Sequence, residues 1–177
     1  MLERRSFTKT EIDKILKNHM TVLYDSRENV NGHILNYFDK KKIKYKKMKL
    51  DHGDYSVMIE ACPEYGIRED VYFHHEIAIE RKKDLNEISG NFSTARDRLE
   101  KEFSLYKGNM TLLIENSNYH DIVNHNYDTK YAPKSFLGSL HSFCTRYDVS
   151  LIFMPDNSYT GDYMSRRFYY YLRNILK

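Results

Sequence analysis

The stretch Ile77-Ala78-Ile79-Glu80-Arg81-Lys82-Lys83-Asp84-Leu85-Asn86 begins as an apolar run and breaks off into an acid followed by bases. Side chains two apart on a strand point the same way, so Glu80 and Lys82 share a face. A carboxylate and an ammonium side by side at a strand end are the parts needed to hold a hard cation and to steady the charge of an attacked phosphodiester. Taken alone, the triplet also reads as a charged strand end running into solvent. Its partners elsewhere in the chain decide between the two.

Upstream, Tyr24-Asp25-Ser26-Arg27-Glu28 closes an apolar run, and Asp51-His52-Gly53-Asp54-Tyr55 makes a turn into another. Both segments deliver acids to strand ends. Taken in order, Asp-x-Arg-Glu, Gly-Asp-Tyr and Glu-Arg-Lys resemble the nuclease domain of the XPF-type structure-specific endonucleases, a branch of the restriction-endonuclease-like superfamily. The resemblance runs from about Thr21 to near the C-terminus. Gly90-Asn91-Phe92-Ser93 and the run from Arg96 to Phe103 are similar to the compact versions carried by bacteria and their phages, which implies a phage or mobile-element setting.

The resemblance implies a Mg²⁺- or Mn²⁺-dependent DNA endonuclease acting at branched, flap or single-strand-junction DNA. It makes Asp54 and Glu80 direct metal ligands, with Arg81 offering its backbone carbonyl and Asp25 and Glu28 completing the site directly or through water. Mg²⁺ takes six oxygens and keeps several waters, so two carboxylates plus substrate phosphate suffice for one ion. Lys82 then places or polarises the attacking water and stabilises the pentavalent charge. Arg27 and Arg81 either hold a phosphate or buttress an acid through a paired guanidinium. The family pattern puts an Asp four places after the lysine, where this chain has Asn86, and Asp84 is the nearby acid able to substitute. The alternative function is a catalytically silent nuclease-fold subunit that binds DNA or a partner nuclease.

Composition bounds the rest. A chain of 177 residues with 41% hydrophobic residues fits one domain with a real core. No run approaches the ~18 apolar residues of a membrane span, and Met1-Leu2-Glu3-Arg4-Arg5 lacks the apolar segment of a secretory signal, so a cytoplasmic protein is expected. Cys62 and Cys144 lie far apart, which fits neither a zinc ribbon nor a disulfide scaffold. His74 and His75, read as neighbours on a strand, point to opposite faces, and His120 with His125 lack zinc spacing. The net charge is only +3, yet seven of the ten residues from Lys40 to Lys49 are lysines, a patch suited to phosphates. Lys44 and Lys46 there, with Arg96 and Arg98 downstream, are the candidate DNA-binding residues.

Residues 1–20 read as a leading helical segment and 21–177 as the nuclease domain. Thr8-Lys9-Thr10-Glu11 has capping-box form ahead of Ile12, Ile15 and Leu16 at helical spacing. Thr21–Tyr24 reads as a core strand, and Ile34, Leu35 and Phe38 as a helix stripe. Ile43–Leu50 reads as a strand with a bulge near Lys46 and Lys47, in an antiparallel pair with Tyr55–Ile59. Val71–Glu80 is one further strand, Asp84–Ser93 a loop with one helical turn, and Thr94–Tyr106 a helix. Thr111–Ile114 is a central strand, Val149–Phe153 another, and helices start at Pro133 and Tyr163. These elements predict an α/β fold, a restriction-endonuclease-like mixed central sheet with helices on both faces. Tandem helix-hairpin-helix modules follow the nuclease domain in relatives that use them, and the chain leaves no room for them. That leaves DNA gripped by its own surface, by a homodimer, or with a partner nuclease or DNA-binding subunit.

Overall fold

A computed structural model describes residues 6–177, so the N-terminal residues Met1–Arg5, with the basic Arg4 and Arg5, lie outside the described part. The first helix, α1 (Lys9–His19), opens with the anticipated capping box: Thr8 Oγ1 accepts from the Glu11 amide while Glu11 accepts from the Thr8 amide. Its apolar stripe, Ile12, Ile15 and Leu16, is buried. Strands β1 (Met20–Asp25), β2 (Lys44–Met48), β3 (Tyr55–Ile59), β4 (Val71–Tyr72), β5 (Ile77–Lys82), β6 (Asn109–Glu115) and β7 (Val149–Met154) form one mixed sheet. Its order is β2-β1-β3-β5-β6-β7, with the short β4 attached to β3.

Two cores follow from side-chain alternation. Ile77 and Ile79 on β5 face α1, α2 (Gly32–Lys41) and the final helix α7 (Thr160–Ile175). Ala78 on the same strand faces the other layer, made of α3 (Leu85–Thr94), α4 (Arg96–Leu105), the short α5 (Tyr119–Val123) and α6 (Pro133–Tyr147). β6 is buried on both faces for all but its first residue, which is why its sequence shows no alternation. The mixed sheet with helices on both faces is as expected.

Four local expectations are corrected. β2 does not pair with β3: it lies parallel to β1, and β3 takes the opposite edge of β1 in antiparallel register. The crossover through α2 sets β2 beside β1, and the linker from Met48 to Asp54 then wraps the end of β1. Asp25 pins that linker, its Oδ2 accepting from the Leu50 amide at 2.6 Å and its own amide donating to the Asp54 carbonyl at 2.8 Å. No bulge interrupts β2, whose register with β1 is unbroken from Lys44 to Met48. The slip in its pattern arises because Tyr45 packs into one core and Met48 into a small cluster with Leu23, Leu50 and Met58 on the opposite face.

Val71–Glu80 is two strands, because the amides of Glu76 and Ile77 both donate to the Phe73 carbonyl and close a turn between them. Asp84–Ser93 is mostly helix, α3, with Asp84 as its N-cap accepting from the Glu87 amide at 2.9 Å. Among the described residues no helix is long and apolar enough to cross a membrane.

Candidate active site

The antiparallel neighbours β3 and β5 put the start of one beside the end of the other, with Tyr55 opposite Ile79. Asp54 and Glu80 are thereby delivered to the same corner of the sheet. Asp54 is fixed by its backbone, its amide donating to the Ile79 carbonyl at 2.9 Å, while its Oδ2 accepts from the Arg81 amide at 2.8 Å. A cleft of about 280 Å³ opens there, lined by Asp54, Glu80, Lys82 and Arg27 from the sheet side and by Glu87, Arg98 and Glu102 from α3 and α4.

Glu80 and Lys82 do share a face. The Lys82 ammonium donates to Glu80 Oε1 at 2.6 Å and lies 3.7 Å from Glu87 Oε1. Glu80 is 4% exposed, and its second oxygen, Oε2, is buried with no hydrogen-bond partner. A buried carboxylate oxygen left bare is costly unless something cationic meets it.

The surrounding charges show the same crowding. Burial, then the charge of Glu80, pushes the Asp54 carboxyl well above the usual carboxylate range, with Lys82 pulling only partly against them. Burial and Glu80 also raise Glu102, opposed by Lys82, Arg27 and Arg98. Burial alone would lower the Lys82 ammonium, but Glu80, Asp54 and Glu87 together hold it above its ordinary value. An oxygen-only donor set with a bare buried carboxylate oxygen fits a hard divalent cation such as Mg²⁺ or Mn²⁺.

Asp25 and Glu28 stand behind this cleft and are otherwise engaged. Asp25 is fully buried, its Oδ1 accepting from the Arg27 amide and Nε, both at 2.7 Å, and its Oδ2 from Leu50. Burial pushes its carboxyl up, yet the bonds from Arg27 and Leu50 outweigh that and hold it below the usual range. Glu28 Oε2 accepts from the Tyr55 hydroxyl at 3.0 Å and from Arg81 Nη1 at 3.1 Å. Asp25 sets the path of the linker carrying Asp54, and Glu28 helps position Arg81.

Arg81 points to the other face of β5. Its guanidinium, 6% exposed, reaches Glu115 Oε2 through Nε at 2.9 Å and Nη2 at 2.8 Å. Glu115 in turn accepts from Thr160 Oγ1 at 2.6 Å and pairs with His33 Nε2 at 2.7 Å. Arg81 is thus a buttress of the fold, tying β5 to β6, α2 and α7. Its backbone amide, rather than its carbonyl, is the part that meets a site acid. Glu115, His33 and Thr160 carried no motif in the sequence; they are legible only once β5 and β6 are paired in register.

Asn86 does not turn toward Lys82. Its Nδ2 donates to Asp128 Oδ2 at 2.9 Å and its Oδ1 accepts from the Asp128 amide at 2.7 Å, clasping α3 to a distant loop. With Asp84 used as the helix cap, Glu87 is the α3 acid beside the lysine, and sequence reading missed it. Glu102 was missed as well, although the helical spacing of Arg98 and Glu102 places both on one side of α4.

The basic candidates separate. Arg98 lines the cleft, whereas Arg96 is spent on Glu100 at 2.8 Å and Ser139 at 3.4 Å. Lys44 pairs with Glu60 at 2.5 Å on β2, and Lys46 is exposed on the same edge strand, two positions across the sheet from β3. His74 and His75 do not flank a strand: they occupy the turn between β4 and β5, with ring centroids 4.0 Å apart.

Comparisons with known proteins identify the fold and the family. The fold is similar to XPF from Aeropyrum pernix, with a TM-score of 0.63 at 14% identity over 86% of this chain and 65% of that one. It is also similar to XPF from Aeropyrum pernix in complex with DNA, with a TM-score of 0.60 at 13% identity over 87% and 65%. The chain thus spans just under two thirds of those proteins' length. No curated protein matches it. The ERCC4 domain pattern matches residues 24–166, from the residue before Asp25 into α7, and the chain accordingly belongs to the ERCC4 domain family.

Proposed function

We propose that this protein is a metal-dependent DNA endonuclease that hydrolyses phosphodiesters at branched, flap or single-strand-junction DNA. The observation that carries the reading is the cleft corner where Glu80 presents a bare buried oxygen beside Asp54 and Lys82. Membership in the ERCC4 domain family and the XPF-like fold support a DNA nuclease; the preference for junctions rests on the family resemblance.

Asp54 and Glu80 would hold a Mg²⁺ or Mn²⁺ ion, with Glu102 facing it across the cleft from α4. Such an ion supplies Lewis-acid polarisation and neutralises charge on the phosphate. Lys82 stabilises charge developing on the attacked phosphate. Arg98 and the exposed Arg27 at the cleft wall orient the phosphate backbone. Asp25, Glu28 and Arg81 act through others, fixing Asp54 and the end of β5.

A silent subunit drew its support from Asn86, and the Asp128 clasp gives that residue a structural occupation instead. The same reading carries a homodimer through the segments Phe136–Tyr147 and Tyr163–Leu176, of α6 and α7, where Tyr170 is exposed. Cutting of labelled branched and linear DNAs in Mg²⁺, Mn²⁺ and chelator tests the main reading. Junction-preferring cleavage that chelator abolishes is expected, and cleavage in chelator, or none with either ion, overturns it. Sedimentation at high micromolar concentration tests the dimer, and a monomer there disposes of it.

A further inference from the structure

We propose that Asp51, His74 and His75 form a second divalent metal site, suited to a borderline transition ion such as Zn²⁺ and separate from the cleft. One ligand atom from each of the three lies within 4.8 Å of the others. A tetrahedral zinc with bonds of about 2.0–2.2 Å spaces its ligands by roughly 3.4 Å, so side-chain adjustments of an ångström or so close the site. Two imidazoles and a carboxylate are the donors such ions select, and imidazole disfavours Mg²⁺. The two sites therefore differ in the ion each takes.

Two features of the structure support it. His74 Nδ1 is buried without a hydrogen-bond partner, so this imidazole carries an unsatisfied ring nitrogen. The turn bearing both histidines is also held firmly. A side chain at Gly108 would put its Cβ 2.6 Å from the carbonyl oxygens of His75 and Glu76, so only glycine lets β6 begin against this turn.

The geometry gives the ion something to do. Asp51 lies on the linker that carries Asp54, three residues on, and the histidines lie on the turn that leads into β5 and Glu80. An ion bridging them ties together the two segments that deliver the cleft acids. Occupancy should stabilise the fold by mass action, since it binds the native arrangement alone.

The test is metal content and cobalt absorption on the full chain carrying Glu80→Gln, which disables the cleft but leaves this site intact. One Zn²⁺ per chain is expected, with visible Co²⁺ bands that Zn²⁺ bleaches and a rise in Tm on loading. Asp51→Asn or His75→Ala, both at exposed positions, should weaken Zn²⁺ binding by at least about tenfold, and His74→Ala with His75→Ala should abolish it. Zn²⁺ affinity unchanged by Asp51→Asn and His75→Ala, or no Zn²⁺ bound at about 100 µM, overturns the proposal. Neither outcome bears on DNA cleavage by the wild-type chain, which is measured separately.

Discussion

Glu80 gives one carboxylate oxygen to Lys82 at 2.6 Å and keeps the other buried and bare. Replacing Glu80 by Gln removes the bare anion while keeping an amide oxygen that can still accept from Lys82. Glu80→Gln should abolish Mg²⁺-dependent cutting while DNA binding is kept or improved, since a like charge no longer opposes the phosphate. Lys82→Met should lower kcat by about a hundredfold with little change in KM, as expected for a group that acts on the transition state. Steady-state kinetics and a binding titration on each variant check both, and a Lys82→Met defect confined to KM would make the residue a phosphate grip.

Glu102 is the acid whose role the chain order hides. Burial and Glu80 raise its affinity for protons, the behaviour of a carboxylate sharing a crowded anionic cleft. Glu102→Gln should raise the Mn²⁺ concentration needed for half-maximal cutting by about tenfold while maximal activity at saturating ion falls much less. An unchanged ion dependence would restrict Glu102 to the wall.

Asn86→Asp restores the family's acid in sequence but sets a carboxylate against Asp128. The substitution should cost about 1 kcal/mol of stability by losing the amide clasp, with no gain in activity. Denaturant unfolding measures the loss, and Asp128→Asn in the same chain should recover much of it. A clear rise in activity would mean that the α3 start repacks toward Lys82.

The raised carboxyl of Asp54 has a defined pH signature. Its folded value lies above the ordinary 3.8, so the native state binds more protons than the unfolded chain between those two values. Its contribution to stability is therefore present below about pH 4 and is lost as pH rises through the folded value. The Tm of Asp54→Asn should exceed that of wild type by a margin that grows as pH rises through this window. Added Mn²⁺ should shrink the margin by stabilising the wild type alone. A margin independent of pH would show that Asp54 is not held up by its neighbours.

Glu115→Leu tests the buttress on the opposite face. Arg81 would be left buried with Glu28 as its remaining acid, a change that typically costs about 3 kcal/mol. Thermal unfolding should show the loss, and a variant as stable as wild type would mean that the guanidinium finds water.

The core motifs were legible because each acid ends an apolar run, and a strand end is visible in one dimension. Period-two alternation placed Glu80 and Lys82 together for the same reason. What stayed hidden depends on pairing. The hydrogen bond from the Leu50 amide that fixes Asp25 was hidden because nothing local in the sequence brings Leu50 back to it. Asn86 read as a weakened acid because Asp128 lies 42 residues on. His74 and His75 read as strand because a turn and a strand differ there by two amides converging on the Phe73 carbonyl, which no side-chain pattern records. Glu87 and Glu102 sit on helices whose outer acids look alike until one knows which side faces the sheet.

β5 carries its chemistry and its scaffolding on alternate residues, Glu80 and Lys82 toward the cleft and Arg81 toward Glu115. A deletion or insertion of one residue between Ile77 and Lys82 would exchange them, driving the guanidinium into the cleft and an acid or ammonium onto the buried carboxylate network. Point substitutions on this strand can therefore separate activity from folding, but a change in its length loses both at once.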